Sequence, residues 1–298
     1  MVGERLAIRV VKSNGQIEDF RPEKILRTLR RAGANRKLAE EIVKKIEASV
    51  YDGITTKEIL RLVKDMISER QPPVAMRYDL KDAIMRLGPA GFNFENFVAE
   101  LLQCYGYQTK LRSIVKGRCV QHEVDVIAEK TDGDFIRAMI ECKYHNLPGG
   151  AVGLKDVMYT YARFLDLNEA AERGEGKWFD EVWLVSNTKA SSDATKYAEC
   201  RGIKLICWRY PRGCGLEKMI EREELYPVTV LRSVDRATLE KLSSAGIILV
   251  KQLLTSEPRQ LARTGLGKKR LSALVSEAEQ LLGKKNGVDR AVSRCAIV

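Results

Sequence analysis

Long apolar runs are absent from this sequence of 298 residues. No stretch approaches the roughly 18 apolar residues of a membrane-spanning helix. The first nine residues include Glu4 and Arg5 and have no long apolar core, which argues against a secretory signal. Low-complexity segments are missing too. We therefore expect a cytoplasmic protein of folded domains that makes no contact with a membrane.

Acidic residues are outnumbered, with 40 Asp and Glu against 51 Lys and Arg, and the formal net charge is +11. Such a surplus of positive charge favours a polyanionic partner, because neutralised phosphates release their condensed counterions. The 45% share of hydrophobic residues lets a chain of this length bury more than one core. Charge alone does not separate nucleic-acid-binding proteins from other basic proteins, so the assignment depends on motifs.

Residues 1–88 show the pattern of a β-hairpin followed by helices. Two apolar-rich runs flank Ser13-Asn14-Gly15, and an Asn-Gly pair between strands favours a tight turn. Pro22 is typical of a helix start, and Thr55 and Glu58 have capping-box spacing at the start of another helix. Helices are also predicted over two further ranges, residues 37–50 and 73–87. This domain is therefore expected to be a hairpin plus about four helices.

Residues 91–224 alternate between strand and helix patterns. The predicted elements are, in order, a helix at residues 94–104, strands at 107–113, 120–128 and 135–143, a helix at 154–167, a strand at 181–186, a helix at 192–201 and a strand at 203–208. This order, αβββαβαβ, is typical of an α/β domain built on one sheet.

The last region is predicted to be all helical. Tyr226-Pro227 is typical of a hinge, and apolar residues recur at helical spacing over residues 228–283. Residues 284–298 form a basic tail, which we expect to be flexible. The sequence thus predicts three domains, at residues 1–88, 91–224 and 228–283, followed by this tail.

Two neighbouring strands carry carboxylates and a lysine. Asp125 lies in one strand, and Glu141 and Lys143, two residues apart, project from one face of the next, whereas Cys142 faces the opposite way. If the turn at residues 131–134 joins these strands as a hairpin, Asp125 and Glu141 can reach one divalent cation. Lys143 can then lie beside the attacking water or the developing phosphorane charge. The pattern predicts metal-assisted phosphodiester hydrolysis.

This arrangement resembles the PD-(D/E)xK nuclease superfamily, and residues 91–208 look like its Mrr-type restriction endonuclease branch. The resemblance implies a restriction-endonuclease-like core with Asp125, Glu141 and Lys143 as catalytic residues. It further implies that Asp125 and Glu141 bind Mg²⁺ or Mn²⁺. Glu95, in the first helix of this domain, takes the position of the family glutamate that assists metal or water placement.

A second metal chemistry would use other atoms of the same segment. Cys119 and His122, and again Cys142 and His145, have the paired spacing of a tetrahedral zinc site. Against zinc, Cys142 lies on an apolar strand face where a small thiol packs well, and both histidines could contact phosphate. The sequence leaves this zinc site open as an alternative.

The N-terminal pattern resembles the ATP-cone, the nucleotide-sensing domain best known from ribonucleotide reductases. The likeness extends over residues 5–88 and includes the motifs Val10-Val11-Lys12-Ser13-Asn14-Gly15, Pro22-Glu23-Lys24-Ile25 and Gly53-Ile54-Thr55-Thr56. It implies that ATP or dATP binds as an allosteric ligand at Lys12, Glu18, Lys24 and Thr56. Lysines and a helix N-terminus suit the phosphates of such a ligand.

The C-terminal region resembles tandem helix-hairpin-helix DNA-binding domains, in which a Gly-hydrophobic-Gly turn presents backbone amides to phosphates. Gly265-Leu266-Gly267 has this form, and Lys268, Lys269 and Arg270 place positive charge beside it. The resemblance implies that Gly265, Gly267 and these three basic residues contact double-stranded DNA, whatever its base sequence.

The chain is therefore predicted to be a multidomain α/β and α protein, with an ATP-cone, a restriction-endonuclease-like core and an all-α helix-hairpin-helix domain. Its predicted activity is divalent-metal-dependent DNA endonuclease activity under nucleotide control. The alternative is a non-catalytic, nucleotide-responsive DNA-binding regulator; an RNA-processing nuclease or a junction resolvase would share the same active site. Because cutting both strands needs two active sites or repositioning, we expect a homodimer or a nucleotide-dependent oligomer.

Overall fold

A computed structural model of the chain describes residues 8–12, 15–88, 92–147 and 149–283. Asn14 of the predicted turn and the predicted tail, residues 284–298, lie outside the described residues. The prediction of an α/β protein with a helical C-terminal region is confirmed. None of the described helices has the length and apolarity to cross a membrane.

The first region is built on a three-stranded sheet. Strand β1 (Arg9–Val11) pairs antiparallel with β2 (Ile17–Asp19) and parallel with β3 (Ile54–Thr55). Gly15, between β1 and β2, has a φ of 80°, a left-handed conformation that glycine adopts without steric cost. The region also contains three longer helices, α1 (Pro22–Arg31), α2 (Arg36–Ser49) and α3 (Thr56–Ser68).

Local signals set where these helices begin. Pro22 lies in the first turn of α1, where a backbone N–H has no helical partner to lose. The Asn35 side chain accepts a hydrogen bond from the Leu38 amide at 2.8 Å, and the Thr55 side chain accepts one from the Glu58 amide at 3.1 Å. Such caps satisfy amides of the first helical turn. The predicted helix start at Thr55 is confirmed.

The predicted helix over residues 73–87 is two helices, α4 (Pro72–Tyr78) and α5 (Leu80–Met85). Asp79 separates them, with a φ of −82° and a ψ of 2°. Its side chain is 8% exposed and forms ion pairs with Lys64 at 2.7 Å and with Arg86 at 3.1 Å. These pairs, made with residues outside the two helices, hold the carboxylate at the break. The prediction of one helix over residues 73–87 is therefore wrong, and the described part of this region contains five helices where about four were expected.

The central region is a five-stranded mixed sheet. Its strands are β4 (Gln108–Lys116), β5 (Gln121–Lys130), β6 (Ile136–Lys143), β8 (Glu181–Ser186) and β10 (Lys204–Ile206), and a separate short pair consists of β7 (Ala151–Val152) and β9 (Lys189–Ala190). In the order β10-β8-β6-β5-β4, the last three strands pair antiparallel and the first three pair parallel. The helices of the region are α6 (Phe92–Cys104), α7 (Leu154–Glu172), α8 (Ser192–Arg201) and α9 (Leu216–Glu223).

Helices cover both faces of this sheet. Phe94 and Phe97 of α6 are buried in one core together with Ile140 of β6. On the other face, Val157 of α7 is buried in a second core together with Met139 of β6. Alternate residues of β6 thus face α6 or α7, as the period of a strand requires. This alternation decides which helix the polar residues at the end of β6 meet.

The C-terminal region continues the core formed by α6. Its described elements are a 3₁₀ turn (Val228–Val230) and the helices α10 (Arg236–Ser244), α11 (Val250–Thr255), α12 (Pro258–Arg263) and α13 (Lys268–Leu282). Leu239 and Leu274 are buried in the same core as Phe94. Tyr226 is also buried there, and its carbonyl accepts a hydrogen bond from the Val250 amide at 2.8 Å. The predicted hinge is therefore wrong, because Tyr226 is part of a packed interface.

The first region makes direct contacts with the other two. Arg31 of α1 forms ion pairs with Glu217 and Glu221 of α9 at 2.7 and 3.1 Å. Arg77 of α4 donates a hydrogen bond to the Leu281 carbonyl of α13 at 2.7 Å. The helices α4 and α5 consequently lie where all three regions meet.

Candidate active site

Asp125 and Glu141 lie side by side where β5 and β6 separate. The ladder between the two strands ends at the pair Val126 and Ile140, so Asp125 and Glu141 are the next residues along each strand. The Asp125 carboxylate accepts a hydrogen bond from the Cys142 amide at 2.7 Å. The hairpin therefore brings the two predicted metal ligands to one place.

Three carboxyl groups share this end of the hairpin. Burial and the neighbouring Glu141 raise the pKa of Asp125 from its usual value near 3.8 to about 7. Burial also raises the pKa of Glu141, and repulsion from Glu95 of α6 acts on both groups. Such carboxyl groups are difficult to ionise together, and a divalent cation favours the ionised form of each. The chemistry of Asp125 and Glu141 therefore suits Mg²⁺ or Mn²⁺, which prefer oxygen ligands.

Glu141 is ion-paired with a residue that lies outside the predicted site. Arg163 of α7 pairs with the Glu141 carboxylate through one guanidinium nitrogen and donates to the Glu123 carbonyl through another. The Arg163 side chain is only 8% exposed. It lies on the buried side of α7, where an arginine between Thr160 and Leu167 is an unusual residue that could have pointed to the site.

Lys143 lies on the same side of β6 as Glu141. Its ammonium group pairs with Asp156 in the first turn of α7 at 2.9 Å, and Asp156 also accepts a hydrogen bond from the Gly153 amide at 2.9 Å. Cys142 packs instead against the core formed by α6. Asp156 thus holds the lysine beside the carboxylates. Like Arg163, it is absent from the sequence motif because it belongs to another element.

Glu95 is bound to an arginine with a strained backbone. Its carboxylate accepts a hydrogen bond from Arg112 at 2.9 Å, and the same guanidinium nitrogen is 3.1 Å from the Asn96 side-chain oxygen. Arg112 has a φ of 45°, which costs a non-glycine residue roughly 1–2 kcal/mol. It lies opposite Asp125, in the one gap of the otherwise regular β4–β5 ladder. Backbone strain of this kind is concentrated at functional sites.

The zinc alternative is wrong, because its four ligands do not meet. His122 and the Cys119 amide both bind Asp166, at 2.7 and 2.8 Å, whereas the partly buried Cys142 packs against the core formed by α6. The His145 ring is 3.1 Å from the Thr188 hydroxyl. Across the described ranges no three His, Cys, Asp or Glu side chains are arranged to hold a metal ion. At the candidate site, Glu141 is paired with Arg163 and Glu95 is paired with Arg112.

A cleft of about 500 Å³ in the first region collects most of the predicted nucleotide-binding residues. Glu18, Lys24 and Thr56 line it, as do Tyr78 and Asp82. Lys12 reaches this group through Glu18, which forms ion pairs with Lys12 at 2.8 Å and with Lys24 at 3.0 Å. The two lysines hold the pKa of Glu18 below its usual value. The cleft therefore offers Lys24 and the N-terminus of α3 to an anionic ligand, and Lys12 is joined to it through Glu18.

The glycine turn of the C-terminal region precedes α13. Gly265 has a φ of 62°, and Gly267 caps the helix start. Lys268 and Lys269 are exposed in the first turn. Arg270 is half-buried and pairs with Asp235 at 3.0 Å, so it joins α13 to the start of α10. Two of the three predicted basic residues therefore have their charge directed to solvent.

Three known families match the chain in this order. Residues 8–80 match the ATP cone domain, residues 89–209 match the Mrr_cat restriction endonuclease family and residues 226–282 match the AF1548-like C-terminal family. The first two matches confirm the resemblances inferred from the motifs. The chain therefore contains an ATP-cone domain, a restriction-endonuclease-like domain and an AF1548-like C-terminal domain.

Similar proteins have been identified as well. An uncharacterized protein of Archaeoglobus fulgidus is 42% identical over 186 residues, which are 62% of this chain and all of that protein. The crystal structure of the protein of unknown function AF1548 has 40% identity and a TM-score of 0.56, covering 65% of this chain and 99% of that one. The chain belongs to the AF1548-like family. The DNA modification-dependent restriction endonuclease AspBHI matches 60% of this chain and 42% of its own at 16% identity; its TM-score of 0.40 is too low to support a structural conclusion.

Proposed function

We propose that the protein is a divalent-metal-dependent DNA endonuclease controlled by a nucleotide that binds the ATP-cone. The observation that carries the proposal is the end of the β5–β6 hairpin, where Asp125 and Glu141 lie together with raised pKa values and Lys143 projects beside them. Membership of residues 89–209 in a restriction endonuclease family supports the same chemistry.

Each residue of the site has a task in this proposal. Asp125 and Glu141 would hold Mg²⁺ or Mn²⁺, which when bound polarises the scissile phosphate and lowers the pKa of water. Lys143, oriented by Asp156, places positive charge beside the attacking water or the phosphorane oxygens. Glu95 assists in placing the water, and Arg163 neutralises Glu141 until a cation is bound.

Replacing Lys143 by Ala tests the proposal directly. We expect Mg²⁺-dependent nicking of supercoiled plasmid to fall roughly 10²- to 10³-fold, the usual loss when one group that stabilises transition-state charge is removed. Binding of the same plasmid, measured by gel shift in EDTA, should remain. Lys155→Ala, which removes an exposed lysine one residue before Asp156, is the matched control and should cleave as the wild type does.

The second candidate function is a DNA-binding regulator without catalysis. One observation favours it: the Glu141 carboxylate is already neutralised by Arg163. Plasmid binding by the wild type without cleavage in Mg²⁺ or Mn²⁺, with or without ATP, would support this candidate. Cleavage of RNA or of branched DNA in preference to duplex DNA would keep the active site and change only the proposed substrate.

The nucleotide site is proposed to use Lys12, Glu18, Lys24 and Thr56 for ATP or dATP. We expect Lys24→Ala to weaken nucleotide binding roughly ten- to hundredfold, because a charge-assisted hydrogen bond contributes about 1.5–3 kcal/mol. Isothermal titration gives the dissociation constant. Lys44→Ala, on the exposed side of α2, should bind as the wild type does, and equal affinity in both variants would contradict the assignment.

The turn at Gly265 and Gly267 is proposed to bind the DNA backbone as a helix-hairpin-helix motif, with Lys268, Lys269 and Arg270 beside it. Replacing Lys268 or Lys269 by Ala should reduce the slope of log affinity against log salt concentration by about 0.9 for each phosphate that the variant no longer neutralises. Fluorescence anisotropy with duplex DNA measures this slope. Lys241→Ala, an exposed change in α10, should leave the slope unaltered, and a similar slope in all three variants would argue against this motif.

Double-strand cleavage would require two such active sites. We therefore propose a homodimer or an oligomer that forms with nucleotide, which light scattering with and without ATP can test. A monomer under both conditions that still linearises duplex DNA would contradict this part of the proposal.

A further inference from the structure

The short helix α5 lies between the nucleotide cleft and the candidate active site. Asp82, in its middle, lines the cleft together with Tyr78, which ends α4. One turn further on, the carbonyl groups of Ile84 and Met85 lie against Tyr144 of the central region. A single helical segment thus touches both sites.

Tyr144 directly follows Lys143 in the chain. Its hydroxyl donates a hydrogen bond to the Met85 carbonyl at 2.5 Å, and the Ile84 carbonyl lies 3.4 Å away. Its ring packs against Phe94 of α6, with 5.5 Å between the ring centroids. Tyr144, the residue after Lys143, is therefore held by the Met85 carbonyl at the end of α5. The last carbonyl groups of a helix have no partners within the helix and can accept such bonds.

Asn187 binds the residue that follows Tyr144. Its side-chain oxygen accepts a hydrogen bond from the His145 amide at 2.9 Å, and its side-chain nitrogen donates to the His145 carbonyl at 2.8 Å. The same nitrogen is 3.0 Å from the Met85 sulfur. Asn187 is fully buried, and it follows Ser186, the register partner of Lys143.

We propose that Tyr144 and Asn187 are positioning residues that couple nucleotide binding to the placement of Lys143, by way of α5. A ligand that contacts Asp82 biases the position of α5, and the Met85 carbonyl carries that bias to Tyr144. This inference rests on the proposed nuclease function and names the route of its regulation. It assigns neither residue a direct contact with substrate.

The physical basis is that packed interfaces transmit displacement through discrete contacts. A ligand changes a distant site only if it interacts differently with two arrangements of the protein. Here the arrangement is defined by one donor, the Tyr144 hydroxyl, and one acceptor, the Met85 carbonyl. Removing the Tyr144 hydroxyl while retaining its ring should uncouple the nucleotide cleft from the candidate active site. The residues that line each site stay unchanged.

Tyr144→Phe is the test, with Tyr105→Phe as its matched control. Tyr105 also donates from its hydroxyl to a main-chain carbonyl, that of Met219 at 3.2 Å, but its acceptor lies in α9. For each protein we would measure the ratio of initial plasmid cleavage rates with and without saturating ATP, together with the dissociation constant for ATP. Hydrogen–deuterium exchange of residues 143–147, with and without ATP, would report the coupling without depending on cleavage.

The wild type and Tyr105→Phe should show the same rate ratio and the same ATP-dependent change in exchange at residues 143–147. In Tyr144→Phe the rate ratio should move towards one by roughly fivefold or more, the lower end of common allosteric couplings, while the affinity for ATP stays within about twofold. The change in exchange should be lost in the same variant. A merely structural role for Tyr144 would leave the ratio and the exchange response unaltered.

The outcomes separate this inference from the nuclease proposal. If the wild type cleaves no DNA but ATP alters exchange at residues 143–147 and Tyr144→Phe abolishes that change, the coupling stands and the nuclease proposal fails. If the wild type cleaves and Tyr144→Phe keeps the full response to ATP, the coupling is overturned. An unchanged exchange pattern in the wild type at saturating ATP overturns it as well.

Discussion

Replacing Asp125 by Asn is expected to abolish metal-dependent cleavage, a loss of at least about a thousandfold, because metal coordination contributes several kcal/mol of transition-state stabilisation. Asn keeps an oxygen that can accept the hydrogen bond of the Cys142 amide, so the hairpin should retain its shape. Plasmid nicking in Mg²⁺ and in Mn²⁺ measures the loss. Cleavage by Asp125→Asn at the wild-type rate would show that Asp125 is not part of the active site.

The same substitution should stabilise the metal-free protein above neutral pH. The pKa of Asp125 rises from near 3.8 to about 7 in the fold, so folding favours the protonated form. The penalty for the ionised carboxylate is absent below pH 3.8, grows as the pH rises and is complete above pH 7. Asn carries no such penalty. At about 1.4 kcal/mol for each pKa unit, the gain in free energy of unfolding at pH 8 is a few kcal/mol at most.

Urea unfolding in EDTA at pH 4 and pH 8 would measure this gain. Asp134→Asn, an exposed change in the turn at the other end of the same hairpin, should have little effect at either pH. The wild type should also require less Mg²⁺ for half-maximal cleavage as the pH rises towards 7, because a metal ligand has to lose its proton first. An Asp125→Asn gain of equal size at both pH values would show that the carboxyl group does not titrate as proposed.

The catalytic pattern could be predicted because it depends on local periodicity. Glu141 and Lys143 share a face of β6 because they are two residues apart on a strand. Cys142, between them, has to point to the other face, where it packs against the core formed by α6. The hairpin then follows from the polar turn between β5 and β6. Family resemblance added Glu95, which does lie near Asp125 in the fold.

The residues that hold this pattern in place could not be found in the same way. Arg163 and Asp156 belong to α7, and which face of that helix meets β6 is decided by the packing of the whole sheet. Arg112 has a left-handed backbone conformation. Such a conformation is usually predicted from a glycine or an asparagine, and this position has neither. The ion pairs of Asp79 with Lys64 and Arg86, at the break between α4 and α5, could not be predicted for a related reason, because they depend on how α3 packs beside these two helices.

The three predicted domains are also less independent than the sequence suggested. Met76 and Leu80 of the first region, Phe94 of the second and Leu274 of the third are buried in one core. Hydrophobic patterns identify the buried face of each helix but not the helix that covers it. A shared core means that a nucleotide, a metal ion and DNA would bind to a single mechanical unit, which makes coupling between them physically reasonable.

Arg163→Met is expected to have the second large effect, a loss of up to about 3–5 kcal/mol in free energy of unfolding, because it leaves the partly buried Glu141 without its charge partner. Because methionine retains much of the aliphatic stem of arginine, the loss of stability measures the missing charge and not a cavity left by a smaller side chain. Arg36→Met is the matched control, since Arg36 also pairs with a glutamate from a helix but is 81% exposed. Exposed pairs of this kind contribute at most about 1 kcal/mol.

The response of these two variants to metal would then identify what Glu141 binds. If Mn²⁺ takes over the charge that Arg163 supplies, saturating Mn²⁺ should restore much of the stability of Arg163→Met and leave Arg36→Met unaffected. Urea unfolding with Mn²⁺ and with EDTA provides the comparison. A loss in Arg163→Met that Mn²⁺ does not reduce would mean that Glu141 is a structural partner of α7, and Asp125 would have to hold the metal without it.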